Sequence, residues 1–153
     1  ATKVTDLVGM FMYCGYTSMT SLDLSNAKIY PTNDADMTGM FMYCGYKAMT
    51  TLKLGDGFNT SNVTKMGEMF QYCGYTAMTN LDFGSNFDTS NVTNMYYMFD
   101  SCGYTSMTDL NLGNKFNTSR VDTMEGMFNE CGYKAITNLE LGENFDTSNV
   151  TNM

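Results

Sequence analysis

The 153-residue chain contains no histidine. That removes Ser-His-Asp and Cys-His catalysis, and every histidine-based zinc site. Basic residues are scarce: 8 Lys and Arg stand against 16 Asp and Glu, a net charge of −8. A nucleic-acid partner needs a basic footprint, so the charge argues against one. It disfavours an anionic membrane surface for the same reason, and its plain reading is a self-repelling soluble surface. No run of about 18 apolar residues exists to cross a bilayer, so no direct membrane insertion is expected. No basic segment leads into an apolar one as an export signal would. Gly55-Asp56-Gly57 lacks the further glycine of a phosphate loop, and Asp34-Ala35-Asp36 is too short for a calcium loop. The sequence implies no cofactor, no metal and no catalysis. The one enzymatic alternative is a carbohydrate-active fragment using paired carboxylates.

What the chain has is a period. The triplet Cys-Gly-Tyr begins at Cys14, Cys44, Cys73, Cys102 and Cys131, in steps of 30, 29, 29 and 29 residues. Self-similarity at this interval marks stacked repeats, each burying its apolar face on its neighbours. Residues 1–153 therefore read as a single solenoid of about five 29–30-residue units. The material for a continuous core is there: 43% of residues are hydrophobic, with 16 Met, 11 Tyr and 10 Phe. Both ends fall inside a unit and read as truncations of a longer chain. Ala1 to Phe11 matches the middle of the unit, and Val150–Met153 stops before the Met-Phe that should follow.

Within the unit around Cys102, Val92, Met95, Met98, Phe99 and Cys102 form an apolar stripe at helical spacing. Asp88, Thr89, Ser90 and Asn91 precede it as N-cap types, and Gly103 follows where a left-handed residue would end a helix. The spacing predicts helices over 91–102, 4–14, 33–44, 62–73 and 120–131. Met107, Leu110 and Leu112 then fit the L-x-x-L-x-L frame, with a short strand at the alternating leucines. One strand and one helix per unit imply parallel strands. Helices pack about 8–10 Å apart and strands about 4.8 Å, so the stack should curve with its strands on the concave face. The expected architecture is an α/β repeat solenoid, leucine-rich-repeat-like and right-handed. The second unit departs from the pattern at Ser25–Asp36, which holds the extra residue and the only proline, Pro31. It reads as a loop bulge or as a local functional variation.

Met-x-x-Met-Phe-x-x-Cys, then Met-Thr-x-Leu-x-Leu, then Phe-Asp-Thr-Ser-Asn-Val-Thr-Asn-Met resembles the BspA-like leucine-rich-repeat surface proteins, over nearly the whole chain. The longest matching strings are Phe87–Met95 and Phe145–Met153. The units are longer than the family's commoner ones, and its usual Asn stands at Asn86 and Asn144 alone. The resemblance implies an extracellular or cell-surface bacterial repeat protein acting in adhesion to host molecules or other microbes.

The repeat also sets out candidate columns. The varying strand positions are Ser21, Thr51, Asn80, Asp109 and Asn138 in one column, and Asp23, Lys53, Asp82, Asn111 and Glu140 in the other. If the leucines between them point inward, these residues make a polar, mainly acidic face for a protein partner or a basic ligand, or a solvated face with none. Tyr16, Tyr46, Tyr75, Tyr104 and Tyr133 form a column that either packs on the turn or presents an aromatic ladder to carbohydrate. Thr20, Thr50, Thr79, Thr108 and Thr137 read as strand filler, with ice binding as the alternative. At helical spacing the five cysteines stand too far apart for disulfides, and the expectation is free, buried thiols, with a metal-binding column as the alternative. Sequons at Asn59, Asn62, Asn91, Asn117 and Asn149 read as helix caps. The functional expectation is a noncatalytic scaffold for adhesion or protein recognition, with protein or glycan partners at a cell surface. The alternative is a purely structural spacer or stalk, self-associating end to end.

Overall fold

The structure is a computed structural model and describes residues 4–153, so the first three residues of the Ala1–Phe11 match lie outside it. Among the described residues there are seven short strands and no helix. They are β1 (Ser21–Asp23), β2 (Ala35–Asp36), β3 (Thr51–Lys53), β4 (Val63–Lys65), β5 (Asn80–Asp82), β6 (Asp109–Asn111) and β7 (Asn138–Glu140). Every pairing is parallel and joins a residue to its counterpart one unit on. Leu22 faces Leu52 and Leu52 faces Leu81 in the sheet β1-β3-β5, and Leu110 faces Leu139 between β6 and β7. A second ladder runs from a bridge at Asp6–Asp36 through β2 and β4 and continues as single bridges at Lys65–Asn94, Asn94–Thr123 and Thr123–Asn152. The strands at the leucines are where their alternation puts them.

The five predicted helices are not formed, and the α/β architecture with a helical convex face is corrected accordingly. These segments are ribbons of overlapping turns, and their donors show why. Met10, Met12 and Cys14 donate to Leu7, Gly9 and Phe11, three residues back, but Gly9, Phe11 and Tyr13 donate to Thr38, Met40 and Met42 of the next unit. An α-helix would keep these bonds inside the segment, four residues back. Left-handed residues also interrupt every ribbon: Gly39 (φ 62°), Tyr43 (φ 56°) and Gly45 (φ 57°) in the second unit, and Glu68 (φ 57°), Tyr72 (φ 55°) and Gly74 (φ 54°) in the third. Such residues do not continue a right-handed helix. The 3-3-1-3 apolar stripe arises because each turn returns the chain to the core after three residues. With no helices, the unequal spacing that was to curve the stack is gone as well.

The core follows the columns. Phe11, Phe41, Phe70, Phe99 and Phe128 stack with centroids 5.2, 5.5, 5.4 and 5.5 Å apart and nearly parallel planes. Met37, Met66, Met95 and Met124 are buried beside them; methionine adapts to such repeated small gaps. The second unit carries its extra residue as an irregularity, with Asp34 at φ 60° and the β2–β4 register shifting between Ala35 and Asp36.

The segment read as helix caps has another task. Thr60, Thr89 and Thr118 are fully buried. The Thr89 hydroxyl donates to Asn117 O (2.8 Å) and accepts from Asn117 N (2.7 Å), and Thr60 and Thr118 do the same with Asp88 and Asp146. Asn59 and Asn117 accept from the backbone N–H two residues on and so close local turns. Asn91 and Asn149 donate to Ser61 O and Ser119 O one unit back. Asn86 and Asn144 reach back likewise, to Asp56 O and Asn114 O, each at 2.7 Å.

Candidate interaction face

Each leucine strand is three residues long with its leucine pointing into the stack, so the residues on either side point outward. That geometry brings Ser21, Thr51, Asn80, Asp109 and Asn138 into one outward column and Asp23, Lys53, Asp82, Asn111 and Glu140 into the other. Thr51, Lys53 and Asp82 are half-buried by their neighbours and the other seven are exposed. The first half of the face carries its own cation. Hydrogen bonds from Ser25 hold the Asp23 carboxyl below its usual range, and Lys53 adds to the effect. Asp56, beside this face, is lowered in the same way by Ser85, with Lys53 again contributing. In the second half the partners are amides: Asn138 Nδ2 donates to Asp109 (2.9 Å) and to Glu140 (3.1 Å), and Asn111 donates to Glu140. Asp82 accepts from Gly84 N (2.9 Å).

The face is not continuous. β5 and β6 run side by side without pairing, and a cleft of about 290 Å³ opens between them, lined by Asn80–Gly84 and Asn111–Gly113. The sequence offered one signal for it. The core position after each strand holds Leu24, Leu54, Leu112 and Leu141, but Phe83 in the third unit. Phe83 is 7% exposed and packs 4.8 Å from Phe87 and edge-on to Phe70 and Phe99. Its larger ring stands where the neighbouring units close over a leucine.

The other columns are structural in their geometry. The Tyr16–Tyr133 column stacks at 4.9, 4.8, 4.6 and 5.3 Å, and Tyr13, Tyr43 and Tyr72 form a second stack beside it. Rings stacked on one another present edges and hydroxyls to solvent, whereas sugar rings pack on aromatic faces. Burial and neighbouring tyrosines raise the phenol pKa of Tyr43 and Tyr46. Thr50, Thr79 and Thr137 turn their hydroxyls to the carbonyls of Thr20, Thr50 and Thr108, away from the outward orientation that ice binding would use.

The cysteines are free, with Cys44, Cys73, Cys102 and Cys131 buried and Cys14 half-buried. Their spacing differs from the sequence expectation. Gly45, Gly74, Gly103 and Gly132 donate to the carbonyls of Cys14, Cys44, Cys73 and Cys102 at 2.8–3.0 Å, so the column runs at strand spacing rather than the 8–10 Å of packed helices. Burial pushes the Cys73 and Cys102 thiols well up and Cys131 to about 12. Asp36 forms an ion pair with Lys65 at 3.4 Å. Burial works against its charge, but the Thr38 hydrogen bonds and Lys65 prevail and lower its pKa. No group of three or more potential metal ligands comes together among the described residues. None of the described residues forms a helix long and apolar enough to cross a membrane.

A stack of short parallel rungs carrying one variable polar face defines a repeat protein. The chain belongs to the DUF285 family, described as a Mycoplasma protein of unknown function, whose pattern matches residues 35–153. No curated protein and no solved structure matches it.

Proposed function

We propose that this chain is a noncatalytic recognition scaffold at a cell surface, and that its polar strand face docks a protein partner with a basic surface. The observation that carries the reading is a contrast between columns. The inward strand column holds leucine in all five units, Leu22, Leu52, Leu81, Leu110 and Leu139, while the two outward columns change from rung to rung. Packing constrains the first and leaves the second free to encode a partner. The acidic balance of that face favours a basic one, and the resemblance to BspA-like surface proteins supports the compartment and the adhesive role. The test is capture of surface proteins by the isolated repeats, with a glycan array beside it. Charge reversal at Asp23, Asp82 and Glu140 lowers capture if the face is the site; unchanged capture discards the assignment. Labelling of the protein on intact cells checks the compartment.

A further inference from the structure

The regular ladder gives the measure of the break between β5 and β6. Asn80 N donates to Thr50 O (3.3 Å) and Leu54 N to Asp82 O (2.8 Å) between β3 and β5; Asn138 N donates to Thr108 O (3.1 Å) and Leu112 N to Glu140 O (3.0 Å) between β6 and β7. The corresponding bonds from Asp109 N to Thr79 O and from Phe83 N to Asn111 O are not made. A Cβ on Gly84 would lie 2.5 Å from Gly55 and one on Gly142 would lie 2.6 Å from Gly113, but one on Gly113 would meet nothing within 4 Å. On the far side the same two units stay joined, Gly103 N to Cys73 O and Thr105 N to Tyr75 O at 3.0 Å each. The opening is therefore a slot for a side chain, not for another strand.

We propose that this slot receives an arginine side chain of the protein partner; the inference rests on the strand face being the docking surface. Its floor is apolar, from Leu81, Phe83 and Leu112, and its rim carries the Asp82 carboxylate. The missing ladder bonds free donors as well as acceptors along the slot, Phe83 N beside the carbonyl of Asn111. The charged group in the lining is the Asp82 carboxylate, and it calls for a cation. A guanidinium suits the slot better than an ammonium, because it is planar, less strongly hydrated, lies against apolar and aromatic surface, and presents its donors as a fork. Phe83 is the positioning residue that keeps the slot open.

The test uses labelled tetra-arginine and tetra-lysine peptides titrated by fluorescence anisotropy, with amide chemical shifts recorded alongside. The chain binds tetra-arginine about tenfold more tightly than tetra-lysine, roughly 1.4 kcal/mol, with shifts centred on Leu81, Phe83 and Asn111. Phe83→Leu restores the leucine of the other units, closes the slot and abolishes the preference. Asp82→Asn, which leaves the core untouched, abolishes it too. Asp23→Lys, two units away, weakens both peptides and keeps the preference. Equal binding of the two peptides, or a preference that survives Phe83→Leu in a folded protein, overturns the proposal. Loss of partner capture on charge reversal with equal peptide binding leaves the docking face standing and removes the slot alone; unchanged capture removes the face.

Discussion

Thr60, Thr89 and Thr118 each satisfy both backbone groups of a residue one rung away from a fully buried position. Thr89→Val keeps the shape and strands both groups of Asn117. We expect a loss of about 2 kcal/mol, read from the urea midpoint, since an unsatisfied buried polar group costs on the order of 1–3 kcal/mol. Thr50→Val, at an exposed hydroxyl with a longer bond, should stay within about 0.5 kcal/mol. The thiols give a second residue-scale outcome. Cys73, Cys102 and Cys131 hold their protons in the native chain to pH values where the unfolded chain, with a thiol pKa of about 8.5, has released them. Their contribution to stability is complete below that pH and is lost as pH rises above it. The slope is about 1.4 kcal/mol per pH unit for each retained thiol. Denaturation at pH 7, 9 and 10 checks the sign, and native alkylation should label Cys14 ahead of Cys73 and Cys102. The free, buried thiols were legible in the sequence; the threonine plugs were not, because a threonine in Asp-Thr-Ser-Asn looks the same whether it caps a helix or plugs a rung.

At the scale of the element, the turn ribbons are where sequence and structure part. The apolar spacing of Met95, Met98, Phe99 and Cys102 satisfies a helix and a ribbon of three-residue turns equally well, so periodicity alone could not choose. The deciding signal was glycine inside the stripe, at Gly9, Gly39 and Gly126, each left-handed. The third unit has Glu68 at that position, with φ 57°. Glu68→Gly therefore separates the two structures by sign. In the ribbon it relieves a left-handed side-chain residue and stabilises by about 1 kcal/mol. In a helix it would destabilise by about the same amount. Thermal unfolding of the one variant suffices, and far-UV circular dichroism of the parent should lack the paired helical minima. The leucine strands, in contrast, were legible in place though not in their bounds: the alternation of Leu110 and Leu112 located the strand, which runs Asp109–Asn111 and leaves Leu112 just beyond it. The break after β5 was also written in the sequence, as Phe83 among leucines, but its consequence needs the neighbouring rings to be seen.

For the whole molecule, the period of 29 residues was legible and the distance between units was not. A sequence repeat says which residues are counterparts, and only the hydrogen bonds say how far apart they stand. Here every rung of the described stack meets the next through parallel backbone bonds such as Phe41 N to Met69 O and Gly74 N to Cys44 O, and that sets strand spacing throughout. The measurement that tests this most directly is the distance between spin labels at positions 21 and 138, counterparts four units apart on the strand face, by pulsed electron resonance. Strand spacing predicts about 19–20 Å between the two backbone positions. A separation of about 32 Å or more, the distance four helix-packed units would require, would contradict the account.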